Sequence, residues 1–345
     1  MSRQRDADAK ATKTDHDHQA PCRAAGPIPE TQSPMNAKTK PTLTLEIDPD
    51  SEQVSRLLNG AIDMHCHSGP SVMPRDFSHI EAMHDAAKNG LRAVLIKDHY
   101  YSATPITEML NTHFSALPVR LFSGVPLNNT SGGFNPYAVD HGIKLGAKLV
   151  WMPTFSAHNH IEHEKREVRF PHTRFPMREP TPLTVLDQGG KLIPEVLPIL
   201  DIIAEHDVIL SGGHLHISEI FPLFEEARRR GVKRLLVNHP SYLIDATLDD
   251  IRELAGMGAY LEHSICMFVP DAFLRYTPRE LKELIDAASV GRTILGSDLG
   301  QEGKAWPARG FRSVISICLS LGYSDEEIRA MIGGNAARLL GLDPA

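Results

Sequence analysis

The 345-residue sequence has little of several features that would assign it to particular classes of protein. Its four cysteines are far apart and form no CxxC pair, which argues against a disulfide framework and against a zinc site built from thiolates. No apolar run approaches the roughly 18–20 residues that cross a bilayer, and no GxGxxG or Walker-type loop indicates a bound nucleotide. A net charge of −7 disfavours nucleic acid and anionic membranes as partners.

Large apolar side chains are also scarce in the first forty or so residues. Residues 1–41 mix Lys, Arg, Asp, Thr, Gln and Pro, so they cannot bury enough surface to offset their ordering entropy. We therefore expect a disordered tail, followed by one folded domain over residues 42–345. The tail has no apolar signal-peptide core, so we expect a cytoplasmic protein. A translation start at Met1 and one at Met35 both fit the sequence.

The rest of the chain alternates short apolar strands with amphipathic helices, which is typical of a parallel sheet covered on both faces. Eight strands are predicted, at 61–66, 91–96, 119–124, 147–152, 208–211, 234–238, 259–262 and 293–296. Seven helices are predicted between them, at 78–89, 104–114, 136–145, 192–206, 217–230, 248–256 and 278–288. Eight such units match a (β/α)8 barrel in number and size, so we predict an α/β TIM barrel and not an open, doubly wound sheet.

The most informative motif, Asp63-Met64-His65-Cys66-His67, forms the end of the first predicted strand. Successive strand side chains point to opposite faces, so His65 and His67 should project together, with Met64 and Cys66 on the other side. Two imidazoles at the end of a buried strand provide half of a metal site, because neutral histidine is a common ligand of zinc. An isolated His-x-His is about as often a purely structural feature.

Ionisable residues also follow most of the other predicted strands. They include Lys97 and His99 after the second, His158 and His160 after the fourth, His214 and His216 after the fifth, His239 after the sixth, Glu262 at the end of the seventh and Asp298 after the eighth. The active sites of TIM barrels form at the carboxyl ends of the strands. The repeated placement of these residues therefore predicts a metal site at that end of the barrel.

These residues resemble the amidohydrolase superfamily of metal-dependent hydrolases over roughly residues 61–342. The resemblance is carried by Ile62-Asp63-Met64-His65-Cys66-His67, by single histidines at strands five and six, by the aspartate closing strand eight, and by the segment 334–342. The segments 96–100, 151–154 and 213–215 resemble a little-characterised, amidohydrolase-like branch. The resemblance implies a barrel of the metal-dependent hydrolase type.

The resemblance also implies a metal-ligand set, which consists of His65, His67, His214, His239 and Asp298. Zn2+ is the expected ion, with Mn2+ and Fe2+ as alternatives. His216 is an alternative to His214, because only one residue separates the two. Many binuclear members have a bridging, carboxylated lysine at the end of strand four, whereas this sequence has Trp151-Met152-Pro153-Thr154 there. The number of ions, one or two, is therefore left open.

Lys97 is the lysine that the alternation of strand two points inward, on the same side as His99. It has three possible roles: bridging two metal ions as a carboxylate, binding substrate, or pairing with an acid. We place Lys97 with Asp298 and His239 in the predicted catalytic group. His99 is expected to ligate the metal or to orient the substrate.

The predicted ligand set indicates a hydrolase. Zn2+ with an open coordination position lowers the pKa of its water to near neutrality, and Asp298 can act as the general base. We expect a metal-bound hydroxide to attack the carbonyl of a small amide, lactam, cyclic imide or lactone, breaking a C–N or C–O bond. His239 would polarise that carbonyl if only one ion binds. The alternative is a non-hydrolytic metalloenzyme on the same barrel, such as a decarboxylase of a small carboxylic acid.

An insert at about 155–191 separates predicted strands four and five and is either a substrate lid or a solvated excursion. Its arginines suit a carboxylate, because a guanidinium binds that group through two hydrogen bonds. We expect four residues to bind substrate, which are His99, His160, Arg174 and Glu262. The expected partner is a small carbonyl compound, and a homo-oligomer is left open.

Overall fold

The computed structural model describes residues 43–166 and 172–343. The predicted tail at 1–41 and part of the predicted insert lie outside these residues. The strands of the described part are β1 Ile62–Cys66, β2 Ala93–Ile96, β3 Arg120–Phe122, β4 Gly124–Pro126, β5 Leu149–Trp151, β6 Ile209–Ser211, β7 Leu235–Asn238, β8 Tyr260–Ser264 and β9 Thr293–Gly296.

The α-helices of the same part are α1 Glu52–Leu58, α2 His79–Lys88, α3 Thr104–His113, α4 Pro136–Lys144, α5 His158–Arg166, α6 Leu197–Glu205, α7 Ile217–Arg229, α8 Leu248–Gly256, α9 Pro278–Ala288, α10 Pro307–Ser320, α11 Asp325–Arg329 and α12 Asn335–Leu340. A π-helical turn, Ala330–Gly334, precedes α12. In the described ranges, no helix has the length and apolar character needed to span a membrane.

All neighbouring strands are parallel, in the orders β1-β2-β3 and β4-β5-β6-β7-β8-β9. Only Ser123 separates β3 from β4. Its hydroxyl donates to the Ile96 carbonyl at the end of β2, and its own carbonyl accepts from the N–H of Lys148 just before β5. The two segments are therefore one barrel strand in two pieces, which gives the eight strands predicted from the sequence.

Backbone hydrogen bonds join the last strand to the first. The N–H of Asp298 donates to the His65 carbonyl at 2.7 Å, and the N–H of His67 donates to the Leu299 carbonyl at 2.8 Å. The buried Asp63 carboxylate adds a side-chain link, because it accepts from the N–H of Ser297 at 2.9 Å. The predicted α/β barrel is thus confirmed, with its ring closed between β9 and β1.

Several helices begin where the sequence supplies a side-chain cap. At the start of α2, Ser78 accepts from the N–H of Glu81, whose carboxylate accepts from the N–H of Ser78. Thr277 and Glu280 form the same reciprocal pair at α9, where Pro278 takes the first helical position. These pairs satisfy N–H groups that have no partner within the helix. They fix where each helix starts after its preceding strand.

Two apolar layers fill the molecule. Inside the barrel, Leu95, Trp151, Leu236 and Ile294 pack together with residues of α12. A larger cluster lies between the strands and the surrounding helices. Helix α12 lies at the amino end of the barrel, because its Leu339 carbonyl accepts from Arg234, the residue before β7. The carboxyl end of the barrel is therefore the end available for a site.

Strand β1 departs from simple alternation. Its register with β2 shifts between Asp63 and Cys66. Met64 packs in the barrel interior, whereas Cys66 packs in the outer cluster. The two side chains thus do not share a side, and the prediction for this pair was wrong, because a strand irregularity resets the order of inward and outward positions. His65 and His67 still meet at one carboxylate.

The described part of the insert is tied down at both ends. The N–H of His158 donates to the Leu183 carbonyl, and the N–H of Ile193 donates to the Val185 carbonyl. Glu219 at the start of α7 also accepts from the Thr184 hydroxyl at 2.5 Å. Between these anchors, residues 174–182 are exposed. The insert is therefore fastened to the barrel beside α5 and α7.

Candidate metal centre

Three buried residues from different strands converge at the carboxyl end of the barrel. His65 of β1, His239 after β7 and Asp298 after β9 each offer one ligand atom, and these atoms lie within 4.8 Å of one another. Across residues 43–166 and 172–343 this is the one such group of three among His, Cys, Asp and Glu. The cluster matches three of the five predicted metal ligands.

Asp298 lies where the imidazoles meet. Its Oδ1 is 3.1 Å from His67 Nε2 and 3.4 Å from His65 Nε2, and its Oδ2 is 3.7 Å from His239 Nδ1. Asp298 and His239 both have left-handed backbones, with φ of +51° and +55°. Such conformations are uncommon outside glycine and concentrate at functional sites.

His65 of β1 and His67 directly after it are both anchored through Nδ1. His65 Nδ1 lies 2.5 Å from a carboxylate oxygen of Glu262, and His67 Nδ1 lies 2.9 Å from the Lys97 carbonyl. Both contacts leave Nε2 directed toward Asp298. The Nε2 atom of His65 is buried and has no hydrogen-bond partner in the described part of the chain. Metal-binding histidines are commonly oriented by such a contact at the other ring nitrogen.

The structure brings His214, and not His216, to this cluster. His214 Nδ1 lies 3.0 Å from His160 Nδ1, and its ring centroid is 5.1 Å from that of His239. Its Nε2 is buried without a hydrogen-bond partner among the described residues. His216 instead caps α7, accepting from the N–H of Ser218, with 38% of its side chain exposed.

Electrostatics favour neutral histidines around an ionised carboxylate. Burial, reinforced by neighbouring cations, lowers the pKa of His65 and of His67 to about 3. Burial also lowers the pKa values of His214 and His239 well below the usual 6.5. For Asp298, burial would raise the pKa, but the nearby imidazoles outweigh it and hold the pKa well below 3.8.

The donor set therefore fits a divalent cation. Neutral imidazole nitrogens with free lone pairs and one carboxylate are the ligands that zinc takes in catalytic sites. At this site, the Nε2 atoms of His65 and His214 are buried and have no hydrogen-bond partner among the described residues, and such an ion would satisfy them. The assignment of all five predicted ligands stays a prediction.

Lys97 lies inside the mouth of the barrel. It is buried, its Nζ has no hydrogen-bond partner within the described ranges, and it lies 5.9 Å from the centroid of the Trp151 ring. Burial lowers the pKa of Lys97 to about 8, although Asp298 and Glu262 oppose that shift. The predicted inward orientation is observed, while the role of Lys97 stays a prediction.

The four residues predicted to bind substrate occupy different places. His99 lines the cavity, with Nδ1 2.9 Å from the Thr154 hydroxyl. His160 lies against His214, and Glu262 lies behind His65, where it also accepts from Asn238 at 2.8 Å. Burial raises the pKa of Glu262 to about 8. The described residues that line the cavity do not include His160, Glu262 or Arg174, and Arg174 is exposed.

A cavity of about 200 Å³ opens onto the cluster. Its lining includes two residues that the sequence analysis missed, Arg75 and Cys266. The thiol of Cys266 lies 3.6 Å from Asp298 Oδ2. Both residues follow barrel strands, β1 and β8 respectively, and that position is the only signal that could have indicated them. Nothing in the local pattern distinguishes Arg75 from other loop arginines.

Comparisons with known proteins agree with this fold. A model of the family of unknown function DUF6282 matches residues 60–262. No curated protein matches the sequence.

Among solved structures, an amidohydrolase from Pseudomonas aeruginosa is similar, with a TM-score of 0.55 and 10% identity over 85% of this chain and 98% of that one. The probable dipeptidase PvdM of the same organism has a TM-score of 0.55 and 10% identity, over 84% of this chain and 96% of that one. An amidohydrolase from Burkholderia multivorans has a TM-score of 0.53 and 13% identity, over 82% and 99%. These similarities confirm the resemblance to the amidohydrolase superfamily at the level of the fold.

Proposed function

This chain belongs to the family of unknown function DUF6282, and from its site we propose that it is a metal-dependent hydrolase acting on the carbonyl group of a small molecule. The observation that carries the proposal is the buried group of His65, His239 and Asp298, with His214 beside His239. Among the described residues, the Nε2 atoms of His65 and His214 are buried and have no hydrogen-bond partner. Burying polar atoms without partners is costly, and one divalent cation could satisfy both. Zn2+ is the proposed ion, with Mn2+ and Fe2+ as alternatives.

Each residue of the site has a role in the proposed reaction. The ion would be held by the five ligands His65, His67, His214, His239 and Asp298. When bound, it supplies a Lewis acid that polarises a carbonyl and acidifies water. The Asp298 carboxylate lies at the cavity wall and is ionised, so it accepts the proton of the attacking water. It then returns that proton to the leaving group. His239 also lines the cavity, where it can polarise the carbonyl if one ion is present.

Lys97 is proposed to take part in this reaction through its charge, from a buried position next to the cluster. Its ammonium acts electrostatically on Asp298 and Glu262, and it is placed either to bridge two ions as a carboxylate or to stabilise negative charge on the substrate. The variant Lys97→Met separates these roles. A fall in metal content indicates bridging, whereas a lower kcat or a higher KM at full metal content indicates a contact with substrate. Unaltered kinetics and metal content would contradict both roles.

The second candidate is decarboxylation of a small carboxylic acid. It is favoured by Trp151 at the end of β5, because that position offers no bridging lysine and so suits a single ion. The cationic side chains in the cavity wall would also suit the carboxylate substrate of a decarboxylase. Product analysis separates the candidates, since hydrolysis consumes water and cleaves a C–N or C–O bond, whereas decarboxylation releases CO2.

Metal analysis tests the proposal most directly. Purified protein should contain one or two equivalents of a divalent ion, and the double variant His65→Ala with His67→Ala should contain almost none. The matched control is His113→Ala with His141→Ala, which removes two exposed histidines and should retain the metal. The metal-loaded protein is then assayed on lactams, cyclic imides, lactones and aromatic acids. Folded protein without metal, or undiminished metal in the His65 and His67 variant, would contradict the proposal.

A further inference from the structure

Arg75 is a half-buried cation in the cavity wall. Its Nη2 lies 3.4 Å from His67 Nδ1 and 3.7 Å from Met73 Sδ. His67 Nδ1 is already engaged with the Lys97 carbonyl at 2.9 Å, so it does not satisfy the guanidinium. The Nε atom of Arg75 is buried and lacks a hydrogen-bond partner in the described ranges.

No nearby acid neutralises this guanidinium. Asp98 is the carboxylate that acts on Arg75 most strongly, yet in residues 43–166 and 172–343 no carboxylate oxygen lies within the 4.0 Å of an ion pair. Within the described lining of the cavity, Asp298 is the only acid, and its oxygens already face the imidazoles. A desolvated cation is costly unless an anion pairs with it. The structure therefore provides a position, beside the Arg75 guanidinium, for the anionic group of a bound ligand.

The backbone holds Arg75 in place beside the cluster. Arg75 forms an antiparallel bridge with Gln301, and the N–H of Asp76 donates to the Gly300 carbonyl at 3.1 Å. Gly300 has φ of +122°, and an added Cβ would lie 1.6 Å from the His67 carbonyl oxygen. The loop after β1 and the loop after β9 are thus packed closely together. A binding group fixed in this way loses little conformational freedom when it meets its ligand.

The other residues of the cavity wall indicate the chemistry of the part of the ligand that does not contact Arg75. Met73, Phe155, Met267 and Phe273 supply apolar surface. Gln301 donates through Nε2 to the Asp298 carbonyl, while its Oε1 is buried with no partner among the described residues. The free amide oxygen can accept a hydrogen bond from a hydroxyl or N–H group. A small, largely apolar molecule with one anionic group matches this lining.

We propose that the substrate is a small organic carboxylate with an apolar body, and that Arg75 binds its carboxylate group. The inference rests on the proposed function for the identity of the reacting carbonyl, but the binding step stands without it. A guanidinium matches a carboxylate through two parallel hydrogen bonds. Because Arg75 lies against His67, the carboxylate must be only a few bonds from the reacting carbonyl.

Calorimetric binding of benzoate and its neutral isostere benzamide to the metal-loaded protein tests this inference. Wild-type protein should bind benzoate at least about 10-fold more tightly than benzamide. Arg75→Gln should weaken benzoate binding about 10- to 100-fold, the range of one charge-assisted contact, and leave benzamide unchanged. Arg75→Lys should show a smaller loss. The matched control, Arg279→Gln, removes an arginine whose side chain is 89% exposed and should bind as wild type.

Three results would overturn the inference: equal affinity of wild-type protein for both probes, binding of neither probe, or wild-type benzoate affinity in folded Arg75→Gln. If Arg75→Gln does not fold by circular dichroism, Arg75→Lys and the wild-type ratio of the two probes decide the question. The proposed function is judged separately, by metal content and by hydrolysis. Arg75-dependent benzoate binding in protein without hydrolytic activity would retain the carboxylate site and reject the hydrolase.

Discussion

Replacing Glu262 by glutamine tests whether His65 is held as a metal ligand. The Glu262 side chain is fully buried, and each of its oxygens faces a nitrogen, His65 Nδ1 at 2.5 Å and Asn238 Nδ2 at 2.8 Å. Glutamine has nearly the same shape but only one oxygen. In Glu262→Gln, one donor therefore faces an NH2 group, and the negative charge behind His65 is lost.

The magnitude follows from that contact. A hydrogen bond to a charged group contributes about 1.5–3 kcal/mol, and about 1.4 kcal/mol corresponds to a tenfold change in affinity. Glu262→Gln should therefore weaken zinc binding about 10- to 100-fold. The same range is typical when a metal-binding histidine loses the group that orients it. The cavity lining is unaltered, so the binding of uncharged probes such as benzamide should not change.

Competition with a chromophoric chelator at pH 8.5 measures the effect, because the Glu262 carboxyl, with its pKa raised by burial to about 8, is then largely ionised. Circular dichroism checks the fold of the variant. The matched control is Glu253→Gln on the exposed side of α8, which should bind zinc as wild type. If folded Glu262→Gln binds zinc within about twofold of wild type, His65 is not oriented by Glu262, and this reasoning about the site is wrong.

Three further predictions concern the cluster. Asp298→Asn should keep its backbone, since asparagine tolerates φ of +51°, but turnover should fall about 10²–10⁴-fold because an amide cannot accept the proton; normal turnover of the metal-loaded variant would exclude the general base. His214→Ala should lower zinc content, whereas His216→Ala should not, and equal losses would show that the two had been misassigned. In metal-free protein, urea titrations should show that the free energy of unfolding decreases as the pH falls from 6.5 toward 3. The decrease should be about 1.4 kcal/mol per pH unit for each imidazole that protonates only on unfolding. A free energy of unfolding that does not change with pH would contradict the lowered pKa values. The imidazoles with a pKa near 3 are those of His65, His67 and His160.

The strands of the barrel were predictable because each is a short apolar run between turn residues. Every predicted strand overlaps an observed one, with boundaries within a few residues. The break at Ser123 was not predictable, because it depends on hydrogen bonds to the neighbouring strands and not on the residues of 119–124. Helix α5 was also missed, since its sequence is mostly polar and has only a narrow buried side at Asn159 and His160.

The sequence predicted which residues belong to the candidate site better than it predicted how far each side chain lies below the cavity. Strand position indicated that His65, His214, His239 and Asp298 would lie at one end of the barrel. The same reasoning could not tell how far each side chain lies below the cavity. Glu262 belongs to β8 itself, so it lies behind His65 and not at the cavity wall. Arg75 could not be found in this way, because the path of its loop is set by contacts with Gly300 and Gln301.

The closure of the ring between β9 and β1 has a consequence for how the protein matures. His67 and Asp298 touch through their side chains although they are 231 positions apart, so contacts between them form only after a very long loop has closed. During synthesis His65 and His67 emerge long before Asp298. A chain that ends before β9 has neither the hydrogen bonds that join the last strand to the first nor the complete cluster. An ion that binds only the finished ring adds to its stability by mass action. Such an ion would stabilise the contact between β9 and β1, and its affinity would report the added free energy of the closed barrel.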